Sequence, residues 1–266
     1  YHPHLMGTTA DQVHAGLAGL YLIEDENSLA LDLPKTYGLN DIPLVVQDRS
    51  FTDGQMNPYA PTANEMENGF REDTLVVNGT VDAYHAVPQG WVRLRLVNGS
   101  NARFYRFYFA NERPFFKIAT EGGFLNQPVE MTGIEMAPGE RNEIMIDLSD
   151  GAGATLMAEF LPADPVDAFL TAFTNLPQAN VVELRVDPAL QASGTLPPTL
   201  NDMVYFDRAD ATHFRTFSLE MDGGDEDAGG MDLFSINGQS MNMNTINAWV
   251  TKGDVEIWEI TGEQML

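Results

Sequence analysis

The feature that most constrains this chain is a pair of short strand-like segments around an Asn-Gly turn, present twice. "TLVVNG" ends at Gly79 and leads into "PQGWVRLRLVNGS"; far downstream "FSING" ends at Gly238 and leads into "TKGDVEIWEITGE". Asn78 and Asn237 lie 159 residues apart, and Gly90 and Gly253 lie 163 apart. Both Asn and Gly tolerate positive φ, so the dipeptide marks a tight turn between extended segments. Recurrence at a nearly constant separation points to two copies of one folding unit.

The segments themselves read as strands. In "GWVRLRLVNGS", Val92, Leu94 and Leu96 fall on one face, with Arg93 and Arg95 on the other. Ile42 to Asp48, Glu143 to Gly151, Val181 to Pro188 and Phe214 to Asp222 show the same pattern. No segment carries a long, capped helical stripe; "DAFLTAFTNL", Asp167 to Leu176, reads as a short helix or a buried loop. The expectation is an all-β chain of sandwiches. Asp187 to Asp202 contains Pro and Ser, lacks an apolar period and reads as a linker. Tyr1 to Asp25 reads as the last hairpins of a sandwich that starts before Tyr1, and the second copy has only 27 residues after Gln239. The expected organisation is therefore residues 1–36 as the end of a first sandwich, 37–187 as a complete middle one, 188–205 as a linker and 206–266 as the start of a third.

Composition removes several function classes. Of 266 residues 44% are hydrophobic, enough for a sizeable core. Lys and Arg number 14 against 39 Asp and Glu, a formal charge of -25. Such a surface repels nucleic-acid backbones and anionic lipid, so no nucleic-acid partner is expected. Arg93, Arg95, Arg103 and Arg106 are expected to pair with carboxylates such as Glu140 instead. "MDGGDEDAGG", Met221 to Gly230, reads as an acidic loop. The absence of cysteine excludes disulfides, thiolate metal sites and a cysteine nucleophile. No run approaches the roughly 18 apolar residues of a membrane span.

The chain opens with His2-Pro3-His4. On an extended segment both imidazoles share one face, about 6.5 to 7 Å apart along the chain. That is wide for chelating one metal and suits one ligand for each of two. Pro3 removes a ladder donor, which suggests an edge strand. The plainer alternative is a pair of surface histidines. His14, in the loop after the pair, His85 and His213 read as structural.

The whole stretch from His2 to Asp25 resembles the second His-x-His motif of the multicopper oxidases. The shared residues are His2, His4, Gly7, Gln12-Val13, Gly16-Leu17, Gly19 and Glu24-Asp25. The resemblance continues through "DIPLVVQDRSF", "DTLVVNG", "GWVRLRLVNGSNAR", "ATEGG", "MAPGER" and "INGQSMNM", in the family's order and across nearly the whole chain. It is nearest to bacterial three-domain laccase-like enzymes of the cuprous oxidase type. The resemblance implies cupredoxin-like Greek-key β-sandwiches, one complete and two partial, exported to the periplasm or beyond.

It further implies that His2 and His4 are type 3 copper ligands of a trinuclear cluster. Imidazole suits copper. In an intact parent with four coppers, that cluster reduces dioxygen to water with electrons from a phenolic or metal-ion substrate, Cu(I) included. Met221, Asp225, Glu226, Glu263 and Met265 match by position a substrate Cu(I) site, soft thioethers being selective for that ion; the alternative is ordinary core or loop methionines. The electron-entry copper needs a cysteine, which is absent. The other His-x-His motifs would lie outside residues 1–266, so the rest of domains one and three is needed and the fragment is expected to be inactive. Two other readings stand beside an oxidase. One is a non-enzymatic multicopper-oxidase-like scaffold of cell division, against which intact His2 and His4 argue. The other is a copper nitrite reductase relative, which "QVHAGLAG" fits less well.

Overall fold

In the computed structural model, residues 1–162, 176–221, 234–240 and 242–262 are described. They form two compact units, Tyr1–Met203 and Val204–Leu266. Among the described residues α-helix is confined to three short pieces, α1 (Thr9–His14), α2 (Glu26–Ala30) and α3 (Ala63–Asn68). Among the described residues none is long and apolar enough to cross a membrane. The Asp167 to Leu176 segment lies, but for its last residue, outside the described residues.

The first unit is built on a two-sheet sandwich. Its strands are β1 (Asp41–Arg49), the small hairpin β2 (Phe51–Thr52) and β3 (Gln55–Met56), β4 (Thr74–Val77), β5 (Tyr84–Val87), β6 (Trp91–Asn98), β7 (Tyr105–Phe109), β8 (Phe115–Thr120), β9 (Gly123–Met131), β10 (Ile134–Met136), β11 (Arg141–Asp147), β12 (Ala154–Phe160) and β13 (Gln178–Val186). One sheet runs β4-β1-β6-β11-β8-β9 and the other β10-β7-β12-β13-β5. Neighbours in the sheets are often distant in sequence, and β1 with β6 and β5 with β13 pair parallel. Between the sheets lies one apolar core, including Leu94, Leu96, Tyr105, Phe107, Phe109, Ile144, Ile146, Leu156 and Leu184. The alternation read from the sequence puts these side chains inward.

The second unit repeats the opening of the first. It contains a 3-10 turn (Arg208–Asp210), β14 (His213–Met221), β15 (Phe234–Ile236), β16 (Gln239–Ser240) and β17 (Glu256–Gly262), in the order β16-β15-β14-β17. As β1 pairs antiparallel with β4 and parallel with β6, so β14 pairs antiparallel with β15 and parallel with β17. The two Asn-Gly turns do the same physical work. Asn78 and Asn237 sit at φ 49° and 53°. The Asn78 amide accepts from Val45 N at 2.9 Å and donates to Pro43 O at 2.8 Å. The Asn237 amide accepts from Ser218 N at 2.7 Å and donates to Thr216 O at 3.2 Å. Each side chain thus stands in for a backbone rung on the neighbouring strand.

The face of β6 opposite the core is covered too: Arg93 and Arg95 are 5% and 7% exposed, under the N-terminal segment. One expectation needs correction. Residues 188–203 do not run free of the sandwich. Leu200 is 1% exposed and packs with Leu33, Ile118 and Met145, Leu196 lying against them.

Candidate functional site

The outer face of β1, β6 and β11 carries a ladder of buried charge. Arg95 donates to both oxygens of Asp41, at 2.6 and 2.7 Å, and to Glu143 at 3.0 Å. Arg93 donates to Glu143 from Nε at 2.8 Å and again from Nη2, and its guanidinium lies over the Phe124 ring. Burial alone would lower Arg95, but its bonds to Asp41 and Glu143 hold it above its ordinary value. The arginines therefore pair as expected, yet not with Glu140, whose carboxylate accepts from Ala137 N at 2.7 Å. Arg103 pairs with Asp48 and Arg106 with Glu159. The partners Asp41 and Glu143 were legible in principle: each stands on a strand neighbouring β6, in register with an arginine.

This charged floor and the N-terminal segment line an open cavity of about 1130 Å³ within the first unit. Its lining includes Tyr1, His2, His4 and the extended run Leu20 to Asp25 on one side, and Arg93, Arg95, Phe124, Asn142 and Glu143 on the other.

His2 and His4 are exposed and belong to no strand. The expected extended geometry is not what folds. Their rings lie 4.5 Å apart, centroid to centroid, and are inclined by 32°. His2 Nδ1 donates to Pro3 O at 2.8 Å, which fixes that ring by a local bond. Copper, which the resemblance implies here, would need ligands besides His2 and His4, and these are expected outside residues 1–266. Among the described residues no group of three or more His, Cys, Asp or Glu side chains could hold a metal. No step is derived through copper. Of the candidate Cu(I) residues, Asp225, Glu226, Glu263 and Met265 lie outside the described residues, as does the rest of the acidic loop after Met221; for Met221 the backbone alone is described, paired with Phe234.

The remaining histidines are structural, though His14 more firmly than a loop residue would be. It ends α1, is 3% exposed, and donates from Nε2 to Glu72 Oε2 at 2.8 Å. Tyr59 and Phe70 flank its ring. Glu72 also accepts from Ser50 Oγ. The carbonyl of Val13, which accepts from Gly16 N at 3.0 Å, also accepts from Arg49 at 2.9 Å and Gln47 at 3.2 Å, and Ala10 O accepts from Asn101 at 2.9 Å. These bonds dock the end of α1 on the sandwich, satisfying carbonyls a helix terminus leaves open. His85 donates to Gly38 O at 2.9 Å, and His213 opens β14 in the open.

No family model matches the chain. By sequence it is 37% identical over 265 residues, 98% of its length, to the cell division protein FtsP of Xenorhabdus nematophila, covering 53% of that protein. It is 34% identical over 271 residues to FtsP of Escherichia coli, covering 99% of this chain and 54% of that one. The chain thus spans about half the length of the curated relatives it matches. Among solved structures, the laccase-like multicopper oxidase CueO of Ochrobactrum sp. superposes with a TM-score of 0.82 at 32% identity, over 98% of this chain and 58% of that one. A McoA multicopper oxidase variant of Aquifex aeolicus gives 0.78 at 32%, over 99% and 58%.

These relatives overturn one expectation. The enzyme reading, a laccase-like oxidase, gives way because the curated relatives are named for cell division, and the described residues assemble no metal-holding group. The argument from intact His2 and His4 against a scaffold is outweighed by the same similarity. The chain carries the cupredoxin-like all-β fold of the multicopper oxidases, and its sequence is similar to the cell division protein FtsP over the half of that protein that it spans.

Proposed function

We propose that the protein to which this chain belongs is a non-enzymatic scaffold of cell division, built on a multicopper-oxidase frame and working in the periplasm. The observation that carries the reading is the 37% identity to FtsP along 98% of the chain. The charge of -25 supports protein partners over nucleic acid. In this reading the sandwiches present surfaces to other division proteins, and His2 and His4 hold no copper that the function requires.

The test is genetic and microscopic. A fluorescent fusion of the whole protein is followed in its own host, beside a strain lacking the gene. Recruitment to the division site is expected, together with a division defect on deletion that wild type and the His2→Ala/His4→Ala double variant repair equally. Uniform distribution with normal division on deletion, or repair by wild type alone, would overturn the reading.

A further inference from the structure

The sequence places the chain's entry into the middle sandwich, residues 26–40, and its exit, residues 188–203, about 160 positions apart. The structure binds them to each other. Thr195 donates to Asp32 O from its backbone at 2.6 Å and from Oγ1 at 3.2 Å. Asn27 Nδ2 donates to Leu200 O at 2.9 Å. Asn40, 1% exposed, is the keystone: its Oδ1 accepts from Thr36 N, its Nδ2 donates to Ser193 O, and its carbonyl accepts from Arg93 N.

The contact is close as well as polar. At Gly194, φ is +136°, and a Cβ would stand 2.4 Å from Pro34 N, so no other residue fits there without displacing backbone. Beneath the two segments Leu33 and Leu200 share a small core with Ile118 and Met145, separate from the core between the sheets. Leu200 N donates to Asn126 O and Met203 N to Asn126 Oδ1, both at 2.9 Å, which ties the exit segment to the edge strand β9 through its last residue.

We infer that entry and exit segments form one clasp that opens and closes as a unit, so that the stretch after Asp187 belongs to the first unit as far as Met203. Neither segment buries its leucine without the other, and each supplies bonds the other lacks. Cooperative opening follows, because losing one side exposes the shared core from both. The clasp is independent of the scaffold reading.

Amide hydrogen exchange on the 266-residue chain tests it. In the wild type, Thr195, Leu200 and Thr36 are expected to be protected together and Tyr205 to exchange freely. In Gly194→Ala, exchange at all three is expected to rise by at least about tenfold, with Phe107 and Leu156 unchanged. Leu200→Ala, which leaves the backbone conformation alone, is expected to release the same three amides. Acceleration at Thr195 alone in both variants, with Thr36 still protected, would overturn the clasp. So would a wild-type Leu200 amide that exchanges as fast as Tyr205.

Discussion

The two units share a local grammar and differ in what covers it. In the middle sandwich the strand pair around Asn78 has a second sheet against its apolar face, and Leu94, Leu96 and Phe107 are inaccessible. Around Asn237 the described residues form a single sheet, on which Trp258 is 50% and Ile260 63% exposed. The turn chemistry is the same, down to one side-chain amide bonding a neighbouring strand twice. An Asn-Gly clamp therefore sets register and chirality but does not bury surface, and burial supplies most of the stability.

The largest test of that contrast is in the cores. Phe107→Ala is expected to lower the stability of the 266-residue chain by about 3–5 kcal/mol, and Ile260→Ala by less than about 1 kcal/mol, in urea unfolding. Equal losses would break the comparison. Next come the clamps. Asn78→Ala removes an acceptor for Val45 N and a donor for Pro43 O at a positive-φ site; about 1–3 kcal/mol is expected, from the same unfolding curves. Asn237→Ala is expected to act locally, as faster exchange at the Ser218 amide.

A pH titration sharpens the contrast further. In the second unit Arg215, and then the Trp258 indole, hold the Glu256 carboxyl down to about 2. A depressed carboxyl contributes stability above its unfolded value, near 4.5, and loses it as pH falls toward 2. The carboxyl carbon resonance of Glu256 should move in that window, and Arg215→Ala should return it upward. The smallest expected effect is at the surface of the first unit. Arg141 and Glu121 are about half exposed, so Arg141→Ala should change stability by less than about 1 kcal/mol.

Much of the frame was readable in the residues. The five strands named from alternation all form, within a few residues of their expected ends, and the repeat around Asn78 and Asn237 is real in three dimensions. What escaped depended on tertiary cover. Arg93 and Arg95 alternate with apolar residues as solvent-facing positions do, yet the distant N-terminal segment covers them and two carboxylates pair with them. Leu196 and Leu200 show no period because they pack from an irregular strap, not from a helix or strand. At His2 and His4 the extended spacing was a property of strands, and the segment is not one. His14 looked like a loop residue because nothing near it in sequence announces Glu72, 58 positions on.

The buried ladder on β1, β6 and β11 has a consequence for the molecule as an ion in solution. Arg93, Arg95 and Arg103 are drawn inside or neutralised at the sandwich face, within a chain that has only 14 cations to distribute. Each of these pairs is neutral, so the chain as a whole keeps its net charge of -25. Two copies meeting in dilute buffer repel before they touch, whereas a basic partner is drawn in from a distance set by the Debye length, about 8 Å in physiological salt. Salt concentration sets the reach of that repulsion between copies of this chain.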